Sequence, residues 1–96
     1  MSADAGSPIS AIVTICNKRG LHARASAKFV QCAESFTADV VVERDGTEVA
    51  GTSIMGLMML AASTGTEIRI SAKGLQANEA LAALVGLVEA GFHEDH

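Results

Sequence analysis

The residues with the most recognisable chemistry lie in the segment Gly20-Leu21-His22-Ala23-Arg24, where a histidine stands at the expected start of a helix. Basic residues gather around it, while no Asp or Glu occurs between Asp4 and Glu34, although the whole chain carries a net charge of −4. Four of the seven Lys and Arg residues belong to this cluster: Lys18, Arg19, Arg24 and Lys28. A neutral imidazole beside isolated positive charge suits the binding or carrying of a phosphoryl group.

A histidine that accepts a phosphoryl group must be nucleophilic at neutral pH, so its ring should be uncharged. A helix N-terminus and the cation of Arg24 both disfavour positive charge on the ring of His22. The same backbone N–H groups and the guanidinium can then stabilise a phosphate dianion, while Lys18, Arg19 and Lys28 attract an anionic partner surface. From these residues alone a second interpretation stays open, in which His22 only caps a helix and the cations form a solvated patch.

The composition excludes several classes of protein. A chain of 96 residues, 49% of them hydrophobic, fits one domain with a core. The aromatic share is only 3%, and together with the acidic balance this argues against a nucleic-acid partner. No apolar stretch is long enough to insert into a membrane, and the first residues lack the pattern of a signal peptide. We therefore expect a cytoplasmic protein, and we expect it to be a monomer.

The remaining reactive side chains predict neither a metal nor a cofactor. Cys16 and Cys32 stand at no metal or redox spacing, so we expect both to be small buried side chains. The terminal His93-Glu94-Asp95-His96 could hold a metal in principle, but it lacks a third fixed ligand and should be frayed.

Periodicity and turn residues predict the element order β-α-β-β-α-β-α. Arg44-Asp45-Gly46-Thr47 is typical of a tight hairpin, and Ser53 and Asn78 are candidate helix caps. The expected strands are Ile9 to Cys16, Thr37 to Glu43, Glu48 to Ala50 and Glu67 to Ser71. The expected helices run from His22 or Ala23 to about Ser35, from Ile54 to about Leu60, and from Ala77 or Asn78 to a stop at Gly91.

This order predicts an α+β fold in which three helices cover one face of a four-stranded, mainly antiparallel sheet. The single domain is expected to span residues 9–92, between a flexible segment at 1–8 and a frayed tail at 93–96.

The short helix after Ser53 carries more apolar residues than one face can bury. We expect Leu57 and Leu60 to pack in the core. Three others should remain exposed as a pliable partner-binding patch, to which Lys28 adds charge: Ile54, Met55 and Met58.

Two segments carry a family resemblance. Val13 to Val30, VTICNKRGLHARASAKFV, closely resembles the active-site segment of HPr, the histidine-containing phosphocarrier of the bacterial phosphoenolpyruvate-dependent phosphotransferase system (PTS). Ser53 to Ala61, SIMGLMMLA, is similar to that family's regulatory serine segment. The resemblance runs from about Ile9 to the final helix, and the predicted element order agrees with the open-faced β-sandwich of the family.

The resemblance implies that His22 is phosphorylated on its Nδ1 atom, with Arg24 as its neighbour. Phosphoryl groups would come from phospho-enzyme I and pass to an EIIA-type domain, so the carrier would have no turnover of its own. Ser53 would be a second, regulatory phosphorylation site for an HPr kinase/phosphorylase. An alternative stays open: a regulatory protein of HPr fold, in a nitrogen branch of the PTS or in kinase-controlled signalling, that is not mainly engaged in sugar uptake.

One position departs from the family pattern, which usually has proline directly after the arginine where this chain has Ala25. Proline suits the first helical turn because its φ is preset, so alanine should keep the helix and loosen its start slightly. We expect Ala25→Pro to change the rate of phosphoryl transfer only modestly. A transfer assay with enzyme I checks this, and a large gain in rate would contradict it.

Overall fold

The computed structural model describes residues 7–94, which form one four-stranded sheet with helices packed against it. The strands are β1 (Ile9–Thr14), β2 (Asp39–Arg44), β3 (Thr47–Ala50) and β4 (Glu67–Lys73), and every neighbouring pair in the order β1-β4-β2-β3 is antiparallel. The helices are α1 (Ala23–Glu34), α2 (Ile54–Met59) and α3 (Ala77–Glu89), followed by a short 3-10 helix, Gly91–His93. The predicted α+β fold and element order are confirmed.

Side-chain alternation explains why one face of the sheet holds the core. In β4, Ile68, Ile70 and Ala72 are buried, while the residues between them are more exposed. On the outer face of β1, Ile12 remains 58% exposed, so this side of the sheet is open. The β2–β3 turn has the two positive φ angles that its sequence predicts, 52° at Asp45 and 83° at Gly46.

A spacing of three and four residues predicts one inward face for each of the two longer helices: Ser26, Phe29, Val30 and Ala33 in α1, and Leu81, Leu84, Val85 and Val88 in α3. All of these are buried except Leu81 and Val85, which are half-buried. Phe29 in α1 and Leu84 and Val88 in α3 are fully enclosed, and Phe92 from the 3-10 helix joins them in the same core. Because this core contains only two buried phenylalanines among its aliphatic residues, its shape depends on close aliphatic packing.

Several local predictions are wrong. The cap of α3 is Gln76 and not Asn78, because the chain is already helical at Ala77. Cys16 is exposed and Cys32 is only half-buried, although burial raises the pKa of the Cys32 thiol. Strand β1 ends at Thr14, before Cys16, where the chain turns into the next loop.

The two ends of the chain meet the predictions differently. The expected flexible segment lies mostly outside the described residues, which begin at residue 7, and so do Asp95 and His96. The expected fraying from residue 93 does not apply to His93 and Glu94, because they continue an ordered turn that packs on the domain.

None of the helices within residues 7–94 is long and apolar enough to cross a membrane, and the same residues contain no cluster suited to hold a metal ion.

Gly20 occupies the most restricted backbone position near the N-terminus of α1. Its φ is +65°, and a Cβ atom there would lie 2.4 Å from the Ala62 carbonyl oxygen and 2.9 Å from the Cα of Ser63. We expect Gly20→Ala to lower the free energy of unfolding by about 3 kcal/mol, from left-handed backbone strain together with a backbone clash. Urea unfolding of the purified variant measures this.

Gly65→Ala is the matched control, because Gly65 also has a positive φ, +88°, but a Cβ there would meet nothing within 4 Å. That variant should lose only about 1 kcal/mol, the strain alone. Equal losses in the two variants would contradict the conclusion that close packing against Ala62 restricts residue 20.

Candidate functional site

The loop before α1 is hydrogen-bonded to the loop that follows α2, and these bonds fix its position. The backbone N–H of Leu21 donates to the Ala62 carbonyl at 2.9 Å, and the Thr64 hydroxyl donates to the Asn17 carbonyl at 2.5 Å. Leu21 is buried, so the chain emerges from the core at a fixed point, immediately before His22. The loop therefore positions the histidine through main-chain bonds and one buried side chain.

His22 is the N-cap of α1, with extended backbone angles. Its Nδ1 atom accepts a hydrogen bond from the backbone N–H of Arg24 at 3.2 Å, which identifies Nδ1 as the ring nitrogen that carries a lone pair. The next bond of the helix runs from the Ser26 N–H to the His22 carbonyl at 2.9 Å. The ring thus serves as a helix cap while remaining partly exposed, with 18% of its side chain accessible.

A carboxylate lies on the other side of the ring. Oε2 of Glu94 is 2.5 Å from Nε2 of His22, and Oε1 of Glu94 accepts a hydrogen bond from Nδ2 of Asn17 at 3.0 Å. Partial burial raises the pKa of the Glu94 carboxyl. The hydrogen bonds from Asn17 and His22, the positive charge that the His22 ring carries when protonated, and the charge of Lys28 outweigh this and leave the pKa below its ordinary value. The carboxylate is therefore ionised at neutral pH, and its contacts are lost as acid protonates it.

The four predicted cations differ in their exposure and contacts. Arg24 is exposed, and its guanidinium makes no hydrogen bond to any residue in 7–94, so it can turn toward an anion on the ring. Lys18 and Arg19 are also exposed. Lys28, which is expected to add charge for partner binding, has a structural contact as well: its Nζ donates to the Phe92 carbonyl at 2.7 Å and so secures the C-terminal turn.

Helix α2 lies beside the same loop, since it leads into the segment at Ala62 that binds Leu21. Ser53 caps it as predicted, with its hydroxyl oxygen accepting from the Gly56 N–H at 2.9 Å. The predicted packing of α2 is confirmed: Leu57 and Leu60 are buried, and the apolar patch of Ile54, Met55 and Met58 is exposed, with Met59 adding a fourth member.

Asn17 and Glu94 also contact the site, although neither was predicted to belong to it. Asn17 has a local signal, because it opens the turn that ends at Gly20 and its Nδ2 also donates to the Gly20 carbonyl at 2.9 Å. Glu94 has none. It reaches His22 only because the fold brings together residues 72 positions apart, and an acid close to the chain end is typical of a solvated tail.

Comparison with known proteins gives one consistent answer. The family model described as "PTS HPr component phosphorylation site" matches residues 9–90. The phosphocarrier protein HPr of Neisseria meningitidis is 49% identical over 82 residues, which cover 85% of this chain and 92% of that protein. The HPr-like protein Crh of Bacillus subtilis is 53% identical over 72 residues, covering 75% and 85% respectively.

The fold agrees with these sequence relationships. The crystal structure of HPr from Thermoanaerobacter tengcongensis superimposes with a TM-score of 0.87 at 43% identity, covering 92% of this chain and 99% of that one. The match extends from β1 through α3 and includes both segments that carried the resemblance. The chain therefore belongs to the PTS HPr family of phosphocarrier proteins.

Proposed function

We propose that Nδ1 of His22 accepts a phosphoryl group from phosphorylated enzyme I and passes it to an EIIA-type domain. The observation that supports this most strongly is the position of His22 at the N-cap of α1, with Nδ1 bonded to the Arg24 N–H. At 3.2 Å this bond is at the long end of the range, so it gives way readily when a phosphorus atom takes its place. The chain acts as a stoichiometric, cytoplasmic and monomeric carrier, and its partners supply the catalysis.

The transfer step needs little from the carrier beyond positioning. The Nδ1 lone pair forms a bond to phosphorus as the nitrogen–phosphorus bond of the donor breaks, and that electron pair returns to the donor nitrogen. The phosphoryl oxygens then lie near the Arg24 N–H and the exposed Arg24 guanidinium, both hydrogen-bond donors. These groups should hold the phosphoryl group without stabilising it so strongly that onward transfer slows.

The apolar patch of α2 is proposed as the docking surface for both partners. Ile54, Met55, Met58 and Met59 are exposed on a helix that adjoins the loop before His22. Flexible methionine side chains adapt to more than one partner surface, which suits a carrier that must bind a donor and an acceptor in turn. Lys18 and Arg19 would attract acidic partner surfaces to the same side.

Ser53 is proposed as a regulatory phosphorylation site for an HPr kinase/phosphorylase. Its hydroxyl accepts a hydrogen bond from the Gly56 N–H and the residue is partly exposed, so phosphorylation can retain the capping oxygen. The added negative charge would lie beside the docking patch and repel an acidic enzyme I surface. The helix would stay folded while the access of enzyme I to His22 falls.

A second candidate function is regulation without a main role in sugar uptake; the one observation in its favour is the 49% identity to Bacillus subtilis Crh, whose solution structure is described as that of the catabolite repression HPr. Possession of both His22 and Arg24 favours the carrier role, because a purely regulatory protein of this fold has no need of a phosphoryl acceptor. Whether enzyme I labels the wild-type protein discriminates the two roles.

The carrier role predicts acid-labile phosphate on His22. Incubation with enzyme I and labelled phosphoenolpyruvate should label the wild-type protein, and mild acid should release the label because phosphohistidine contains a nitrogen–phosphorus bond. His22→Asn should take up no label. Asparagine is a good N-cap, so this variant keeps the helix while removing the nucleophile.

His93→Asn is the control for the second described histidine, since asparagine also tolerates the left-handed backbone at that position, where φ is 60°. It should label like the wild type. Label that survives acid, or that persists in His22→Asn, would contradict His22 as the acceptor.

Regulation at Ser53 predicts that an HPr kinase with ATP adds one phosphate to the wild type and none to Ser53→Asn, as read by mass spectrometry. Asn preserves the cap to within a few tenths of a kcal/mol, so unfolding does not confound the result. Ser53→Asp should slow labelling of His22 by enzyme I, whereas the uncharged Ser53→Asn should not. Equal labelling rates for Asp and Asn would contradict control by charge at this position.

A further inference from the structure

Glu94 lies where it can control the state of the His22 ring. We propose that Glu94 is a positioning residue: its carboxylate holds the ring proton on Nε2, leaves the lone pair on Nδ1, and balances the charge that the ring gains on phosphorylation. This inference rests on the proposed function, because it assigns Glu94 a part in the same transfer step.

The hydrogen bonds around the His22 ring are compatible with only one tautomer of the neutral imidazole. An ionised carboxylate is an acceptor only, so the ring nitrogen 2.5 Å from its Oε2 must be the one that bears hydrogen. The other ring nitrogen accepts from the Arg24 N–H and therefore has no hydrogen in the neutral ring. Both contacts of His22 thus favour the same tautomer, in which Nδ1 is the nucleophilic atom.

Asn17 keeps the carboxylate from rotating away. Its Nδ2 donates both to Oε1 of Glu94 at 3.0 Å and to the Gly20 carbonyl at 2.9 Å, which uses the two amide hydrogens and fixes the orientation of the group. Asn17 is only 3% exposed, so it is a rigid support. Glu94 itself has 13% of its side chain accessible, which limits screening of its charge by solvent.

The backbone that carries Glu94 is held in an unfavourable conformation. Gly91, Phe92 and His93 have φ values of 63°, 58° and 60°, three left-handed residues in succession, of which only the first is glycine. Each of the other two costs about 1–2 kcal/mol relative to a right-handed conformation. The fully buried Phe92 ring and the Lys28 bond to its carbonyl offset this cost. The turn directs the chain back to His22.

The charge balance of the transfer step gives the carboxylate its second role. When the Nδ1 lone pair forms the new bond to phosphorus, no proton needs to leave Nε2, so the ring itself becomes cationic. Glu94 is in contact with that proton and stabilises the cation as it forms. When the phosphoryl group moves on, the electron pair returns to Nδ1 and the starting tautomer is restored without any proton exchange with solvent.

The decisive variant is Glu94→Gln, which keeps the side-chain shape and removes the charge. A glutamine has one acceptor and one donor where Glu94 offers two acceptors, so either His22 or Asn17 must face an NH2 group. Glu79→Gln is the control for loss of one negative charge, because Glu79 is exposed in the first turn of α3. Glu94→Ala is the second variant, since it removes the contact without introducing a donor.

Two readouts are compared among these proteins at equal concentration. In 15N NMR spectra, the wild-type ring should show a protonated Nε2 with a persistent low-field proton resonance, and both Glu94 variants should lose that resonance. The initial rate of labelling by enzyme I and phosphoenolpyruvate should fall about tenfold in both Glu94 variants, comparable with the low end of the loss seen when a carboxylate partner of a metal-binding histidine is removed. Glu79→Gln should match the wild type in both readouts.

Faster labelling of Glu94→Gln would overturn the proposal and show that the C-terminal turn obstructs Nδ1. An unchanged rate would overturn it as well. Absence of label on the wild type would overturn the proposed function and with it the role of Glu94 in transfer. A labelled wild type beside an equally fast Glu94→Gln variant overturns the role of Glu94 alone.

Discussion

The close approach of Gly20 to the Ala62–Ser63 backbone is the constraint on which the rest of the site depends. A left-handed residue without a side chain at position 20 lets the two loops meet, and the Leu21 N–H then binds the Ala62 carbonyl. The buried Leu21 side chain fixes where the chain leaves the core, and His22 follows as the cap of α1. The same contact brings the chain that follows α2 against the loop before His22, so one backbone contact links the proposed acceptor to the helix that carries the exposed apolar patch.

The turn that follows α3 is strained, and buried side-chain packing stabilises it. Three residues in succession after α3 have left-handed backbone angles, which is energetically unfavourable. Burial of the Phe92 side chain in the core offsets that cost. Lys28 secures it from α1, so the helix that presents His22 also helps hold the turn that carries Glu94. The first turn of α1 and the C-terminal turn thus contact the same imidazole, one at each ring nitrogen.

The fold could be predicted from the sequence because its signals are local: alternation in β4, the Asp45-Gly46 turn and the apolar stripe of α1 each determine their own element. The place of His22 at the start of α1 could also be predicted, because it follows the Gly20-Leu21 turn and precedes an alanine-rich helical segment; its role as phosphoryl acceptor stays a proposal. Glu94 could not, since its role depends on tertiary packing of the chain end, and an acid near a terminus carries no local signal. Asn78 failed as a cap for a related reason, because helix ends are the least determined by local sequence.

We propose that phosphate enters this protein at one atom, Nδ1 of His22. NMR of the 15N-labelled protein after phosphorylation by enzyme I tests it most directly, because the chemical shift and the coupling to phosphorus identify the bonded ring nitrogen. We expect phosphorus to be bonded to Nδ1 of His22, with hydrogen retained on Nε2. Phosphorus bonded to Nε2, or to any other residue, would contradict it.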